Sequence, residues 1–126
     1  MKTNFITNAP MFSSLSGDEQ QLIADAMQTQ SYAKGELLFA QGQAVHALYL
    51  IASGWVRVTT VLGSGQEMVT NLGAGSLLGE MDVMLDRPAM GTAQAAFEVT
   101  LYALSKPTVE ELLANQPTIG LRLSAA

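Results

Sequence analysis

Cysteine is absent from this chain of 126 residues, and histidine occurs once, at His46. Disulfides, thiolate zinc sites and ordinary iron–sulfur clusters are therefore excluded, and a single histidine cannot supply a metal cluster or a catalytic triad. We predict no metal site, no catalytic residue and no enzymatic activity. The sequence also lacks an apolar run of membrane-spanning length and a signal-peptide core, so we expect a cytoplasmic protein with no membrane partner.

Charged residues are scarce, at 13% of the chain, and the net charge is −5. No two of the six basic residues are adjacent; they are Lys2, Lys34, Arg57, Arg87, Lys106 and Arg122. Nucleic-acid binding requires a clustered basic face, because neutralised phosphates supply most of the affinity. We therefore expect this chain itself to bind no nucleic acid.

Apolar residues make up 48% of the chain, which predicts a well-packed globule. The length fits a single domain, predicted here to span residues 1–126. Ser16 and Glu19 have the spacing of a capping box and predict a helix from near Gly17. Apolar residues at helical spacing continue that helix to about residue 29.

Glycines then divide the chain into short segments of roughly 8 to 12 residues, the rhythm of a β-sandwich or barrel. They stand at positions 35, 42, 54, 63, 65, 73 and 75. Residues 55–61 and 67–72 form two predicted strands around a hairpin loop. Residues 92–96 and 100–105 form a predicted last hairpin around Phe97 and Glu98. Pro107 fits the first turn of a following helix, and Pro117 begins another helical start over residues 119–123.

The segment around Gly79 and Glu80 carries the strongest hint of chemistry. Glycines at 73, 75 and 79 let the backbone approach a ligand, and Glu80 adds an acceptor. A short helix starting there would direct its positive end at an anion. A phosphate with a sugar hydroxyl beside it would fit such a site.

Three segments, residues 35–42, 48–58 and 72–80, resemble the cyclic-nucleotide-binding domain, and more narrowly the sensor half of regulators of the cyclic-AMP receptor protein type. The resemblance covers about residues 11–116. It implies a mainly β fold, an antiparallel β-roll of the jelly-roll or double-stranded β-helix type, with about eight strands and flanking N- and C-terminal helices. In such regulators a dimerisation helix and a DNA-binding domain follow. Residues 119–126 would begin that helix, which implies a homodimer, and we expect no DNA-binding domain within residues 1–126.

The resemblance also implies a ligand site in residues 79–92, called the cassette below. Family cassettes read Gly-Glu, several apolar residues, then Arg-Ser/Thr-Ala or a close variant, and they bind cyclic phosphate and ribose. Gly79 and Glu80 match the opening pair, Glu80 would accept from the ribose 2′-hydroxyl, and Met81 belongs to the helical turn facing the phosphate. Thr92 falls in the closing segment.

The cassette's arginine position falls on Ala89, while Arg87 stands two residues early. A shift of two residues moves a Cα by roughly 6 to 7 Å along an extended segment. Losing a guanidinium paired with phosphate costs about two to three orders of magnitude in affinity. We therefore expect a small-molecule sensor that binds cyclic AMP or cyclic GMP weakly or not at all. The alternative is a ligand-independent scaffold or dimerisation module.

Overall fold

The computed structural model describes residues 16–79, 82–83 and 85–115. Within them the chain forms helix α1 (Gly17–Ala26), eight strands and helix α2 (Lys106–Asn115). The strands are β1 (Gln28–Tyr32), β2 (Leu37–Phe39), β3 (Ala47–Ser53), β4 (Val56–Val61), β5 (Glu67–Leu72), β6 (Leu77–Leu78), β7 (Thr92–Ala95) and β8 (Val99–Ser105). The second helical start, at residues 119–123, lies outside the described residues.

The capping box at α1 is present as predicted. The Ser16 hydroxyl accepts from the Glu19 N–H at 3.2 Å, and the Glu19 carboxylate accepts from the Ser16 N–H at 2.9 Å. The predicted end of this helix, at about residue 29, is wrong because α1 ends at Ala26. Residues 28–32 instead pair antiparallel with β8, and this contact with a distant strand outweighs the local helical spacing.

The described strands form two antiparallel sheets with the order expected for a jelly-roll. Sheet I has the order β1-β8-β3-β6, and sheet II has the order β2-β7-β4-β5. The predicted antiparallel β-roll with helices at both ends is confirmed. The β4–β5 hairpin is also confirmed, with register pairs from Val56↔Leu72 to Val61↔Glu67.

The predicted last hairpin is wrong, since β7 and β8 lie in different sheets. β7 pairs with β2 and β4, whereas β8 pairs with β1 and β3. Ala93 and Ala95 from β7 and Leu101 and Ala103 from β8 belong to one buried cluster inside the roll. Placing the two strands in facing sheets buries both apolar faces, which direct pairing would not do.

A second buried cluster lies between sheet I and the helices. It joins Leu48 and Leu50 of β3 to Ile23 of α1 and Val109 of α2. β3 is therefore buried on both faces, which explains its uninterrupted apolar run of residues 47–51. Among the described residues, the helices pack on sheet I, and β5 of sheet II is exposed over most of its length.

The corner between β3 and β4 requires a glycine. Gly54 has φ +88°, and a Cβ there would lie 2.3 Å from the Glu98 carbonyl oxygen. Gly54→Ala should therefore lower the free energy of unfolding by about 2 kcal/mol or more, through backbone strain and a clash with backbone. Chemical denaturation measures this change.

Gly63→Ala is the matched control, because no atom lies within 4 Å of a Cβ at that position. It should stay within about 0.5 kcal/mol of the parent. Equal losses for the two variants would contradict the proposed corner contact.

Candidate functional site

The cassette connects β6 of sheet I to β7 of sheet II. Gly79 opens it with φ +75°, and a Cβ there would lie 2.9 Å from Val45 Cγ1 and 3.2 Å from the Ala47 carbonyl oxygen. The Val83 N–H donates to the Gly79 carbonyl at 2.9 Å, which starts a helical turn at residues 82 and 83. The start of the cassette is thus packed directly on the chain entering β3.

Arg87 folds back onto this turn. Its Nε donates to Asp82 Oδ1 at 2.8 Å, and its backbone N–H donates to the Asp82 carbonyl at 3.0 Å. The Arg87 side chain is 39% exposed, whereas that of Asp82 is only 10% exposed. The arginine that the sequence offers to a ligand is therefore engaged within the cassette.

Ala89 is buried in an apolar environment. It is 3% exposed and belongs to the same buried cluster as Val45 and Val83. Its backbone is fixed by bonds from the Ala89 N–H to the Gln43 carbonyl at 2.8 Å and from the Gly42 N–H to the Ala89 carbonyl at 2.9 Å. Position 89 faces the buried cluster between sheet I and the helices, where it meets hydrophobic side chains.

The closing segment lies close to sheet II. At position 91, where the resembled family has alanine, this chain has glycine. A Cβ on Gly91 would lie 2.8 Å from Thr60 Oγ1. The Thr92 hydroxyl accepts from the Gln41 N–H at 3.0 Å. The Gln41 side-chain amide in turn exchanges two bonds with the backbone of Val61. Gln41 therefore joins the loop before β3 both to Thr92 and to the end of β4.

Aromatic side chains fill the roll beneath Gly79. The rings of Phe39 and Tyr49 stack with centroids 6.3 Å apart and an interplanar angle of 21°. A Cβ on Gly79 would lie 3.7 Å from Phe39 Cε2. Burial, together with the neighbouring Tyr32 phenol, raises the pKa of Tyr49 to about 12. This side of the cassette is therefore apolar.

The structure brings together some of the predicted site residues. Gly79, Arg87 and Ala89 lie in the connection from β6 to β7, and Thr92 is the first residue of β7. Arg87 is bonded to Asp82 of the same connection, and Thr92 is bonded to Gln41. Glu80 and Met81 lie outside the described residues. Their roles, like those of the other four residues, stay predictions.

Sequence reasoning missed Asp82. The signal was present, because Asp82 is a charged residue in a stretch that is apolar in the resembled family, five positions before an arginine.

Within the described residues, no group of three or more His, Asp or Glu side chains could hold a metal ion. No helix of the described part is long and apolar enough to cross a membrane.

The strand order, with a glycine-led connection closing one end, is that of a β-roll domain. The model of the cyclic nucleotide-binding domain matches residues 29–116, more than half of the chain. The chain belongs to this family.

Two curated relatives illustrate its range. The chain is 33% identical to the cyclic AMP receptor protein of Thermus thermophilus over 118 residues, which is 93% of this chain and 55% of that protein. It is 31% identical to a cAMP-dependent protein kinase regulatory subunit of Colletotrichum orbiculare over 113 residues, 90% of this chain and 28% of that protein. The chain therefore spans about a quarter to a half of the length of these relatives.

Solved structures share the fold. The Thermus thermophilus catabolite activator protein superposes with a TM-score of 0.81 at 33% identity, covering 92% of this chain and 55% of that one. The regulatory subunit of a cAMP-independent protein kinase A from Trypanosoma brucei superposes with a TM-score of 0.79 at 25% identity. The match covers 98% of this chain and 46% of that one. A triple variant of that subunit, in which one change introduces an arginine, has been solved with cAMP bound in its A site.

Tyr49 generates a prediction about alkaline pH. Its pKa is raised from 10.0 to about 12 in the folded protein, so folding favours the neutral phenol. That contribution is fully present below pH 10 and is lost as the pH rises toward 12. The free energy of unfolding should fall by up to about 1.4 kcal/mol per pH unit in this window because of Tyr49.

Denaturant unfolding between pH 9 and pH 12 tests this expectation. Tyr49→Phe should make the decline shallower than that of the parent. An unchanged slope in Tyr49→Phe would show that the phenol of Tyr49 is not the group responsible.

Proposed function

We propose that this chain is a regulatory small-molecule sensor domain whose affinity for cyclic nucleotides is weak or lost. One observation carries the proposal: Ala89 has no guanidinium and is buried among apolar side chains, while Arg87 is paired with Asp82. A cyclic phosphate entering the cassette would meet no free arginine among the described residues. We further propose that the domain is not catalytic and acts in the cytoplasm.

The size of the expected loss follows from hydrogen-bond energies. Each charge-assisted bond between a guanidinium and a phosphate is worth about 1.5 to 3 kcal/mol. At about 1.4 kcal/mol per tenfold change, losing these bonds weakens binding by about two to three orders of magnitude. Micromolar binding would thereby become millimolar.

The Trypanosoma brucei regulatory subunit supports this proposal by analogy. It has the same fold and is described as part of a cAMP-independent kinase, yet a variant of it that includes an introduced arginine has been captured with cAMP. A member of the family can therefore keep the β-roll without depending on cAMP.

A ligand-independent scaffold is the second candidate, and one contact favours it. Asp86 of the cassette forms a salt bridge with Lys106, the first residue of α2. This bond ties the cassette to the C-terminal helix without a ligand. A homodimer through the segment following α2 belongs to either proposal, and that segment lies outside the described residues.

The parent protein should show no cyclic AMP binding with a dissociation constant below about 100 micromolar. Isothermal titration calorimetry with cyclic AMP and cyclic GMP measures this directly. A low-micromolar dissociation constant would refute the proposed loss of affinity and would assign the phosphate to Arg87.

Ala89→Arg should improve affinity for cyclic AMP by at least about tenfold, because it returns a guanidinium to the inward-facing position. Without ligand the same variant should be less stable than the parent, since it buries an unpaired charge beside apolar side chains. Calorimetry and thermal unfolding with and without cyclic AMP measure both effects. Glu80→Ala in this background should cancel the gain.

Met90→Arg is the matched control, because Met90 is 57% exposed and adjacent in sequence. It adds the same charge on the outward side, so affinity should stay at the parent's level. A folded Ala89→Arg that binds no better than Met90→Arg would show that position 89 does not face the ligand, and the scaffold would then be the better interpretation.

A further inference from the structure

Asp82 is an unusual residue in its environment. It is 8% exposed, and among the described residues it is the only buried polar or charged one. A carboxylate taken out of water is costly unless it is paired. Its partner is Arg87, through the Nε–Oδ1 bond of 2.8 Å. The pair therefore satisfies a charge that the cassette has itself buried.

The same pair engages Arg87, which is the one arginine in the cassette sequence. Lys106 is engaged by Asp86, and Arg57 lies on β4 in sheet II. The described contacts of Arg87 use its Nε and its backbone N–H, and neither Nη nitrogen bonds to a described residue. The charge of Arg87 is thus already balanced by the carboxylate of Asp82.

Arg87 is within reach of the position that the family gives to its arginine. It precedes Ala89 by two residues, which corresponds to roughly 6 to 7 Å along an extended segment and keeps the same side of the chain. A long arginine side chain can bridge that distance if it is released. What prevents this in the structure is the bond to Asp82.

We propose that Asp82 is an internal counter-anion that occupies Arg87 and thereby excludes phosphate-bearing ligands from the cassette. The proposal rests on the proposed function and names the contact that regulates the same site. The pair closes a loop of only five residues, so the carboxylate has a large advantage in effective concentration over any anion from solution. Moving Arg87 to an external phosphate would also leave Asp82 buried and unpaired, which opposes the exchange.

Asp82→Asn tests the proposal, because it keeps the size of the side chain and removes its charge. Calorimetry with cyclic AMP, and separately with inorganic phosphate, should show an affinity for cyclic AMP at least about tenfold higher than that of the parent. Adding Arg87→Ala to Asp82→Asn should return the affinity to the parent's level. A gain for cyclic AMP without one for inorganic phosphate would indicate that the nucleoside part contributes to binding.

Asp86→Asn is the control for net charge. Asp86 has φ +51°, which asparagine also adopts, and its side chain is 81% exposed. This variant removes one negative charge from the same loop without releasing Arg87, so its affinity should equal the parent's. An equal gain in Asp86→Asn would overturn the proposal, as would a gain in Asp82→Asn that survives Arg87→Ala, or a folded Asp82→Asn that binds like the parent.

The unaltered protein gives an independent measurement if Asp82→Asn does not fold. A salt-bridged Arg87 Nε–H should give a protected NMR resonance, and millimolar inorganic phosphate should leave its chemical shift unchanged. A saturable shift would overturn the proposal, because it would show that Asp82 does not hold Arg87 against an anion. Failure of the proposed function is a separate result, namely tight cyclic AMP binding by the parent.

Discussion

The close contact between the β3–β4 corner and the β7–β8 corner is the constraint on which the rest of the structure depends. Gly54 lies so near the Glu98 carbonyl that no side chain fits between them. At this end of the roll the chain crosses from one sheet to the other. The crossings set the register that pairs Val56 with Ala95 and Tyr49 with Ala103. Since β6 then ends beside Tyr49 and β7 begins beside Thr59, the cassette must span the two sheets at the opposite end. The position of the site thus follows from the corners.

Interactions between neighbouring residues predicted most helices, strands and turns correctly. Contacts between distant segments determined where α1 ends and which strands pair. The Ser16–Glu19 capping box and the β4–β5 hairpin depend on neighbours in sequence, and both were correctly predicted. The end of α1 was missed because residues 28–32 pair with β8, about 70 residues away. The last hairpin was misplaced for a similar reason. The turn around Phe97 was correctly located, but only the facing sheets determine that β7 and β8 part there.

In the candidate site, too, some features could be predicted from the sequence and others depend on contacts between distant segments. The resemblance to the family's cassette assigned Ala89 to the arginine position, and in the structure Ala89 and Gly91 are buried while Pro88 and Met90 are exposed. Spacing could not reveal that the inward side is apolar at this point, because Val45 comes from a loop more than 40 residues earlier. The spacing of residues also did not reveal that Asp82 is the ion-pair partner of Arg87. A buried carboxylate is recognised by its surroundings, and those exist only once the turn at residues 82 and 83 has packed onto the roll.

The two ion pairs of the cassette contribute in different ways. The Asp86–Lys106 pair has its carboxylate in water, where solvent and salt screen the attraction, so it adds little to stability. The Asp82–Arg87 pair includes a buried carboxylate, so breaking it leaves an uncompensated charge in an apolar setting. The buried pair therefore fixes the shape of the turn, while the exposed pair connects that turn to the first residue of α2.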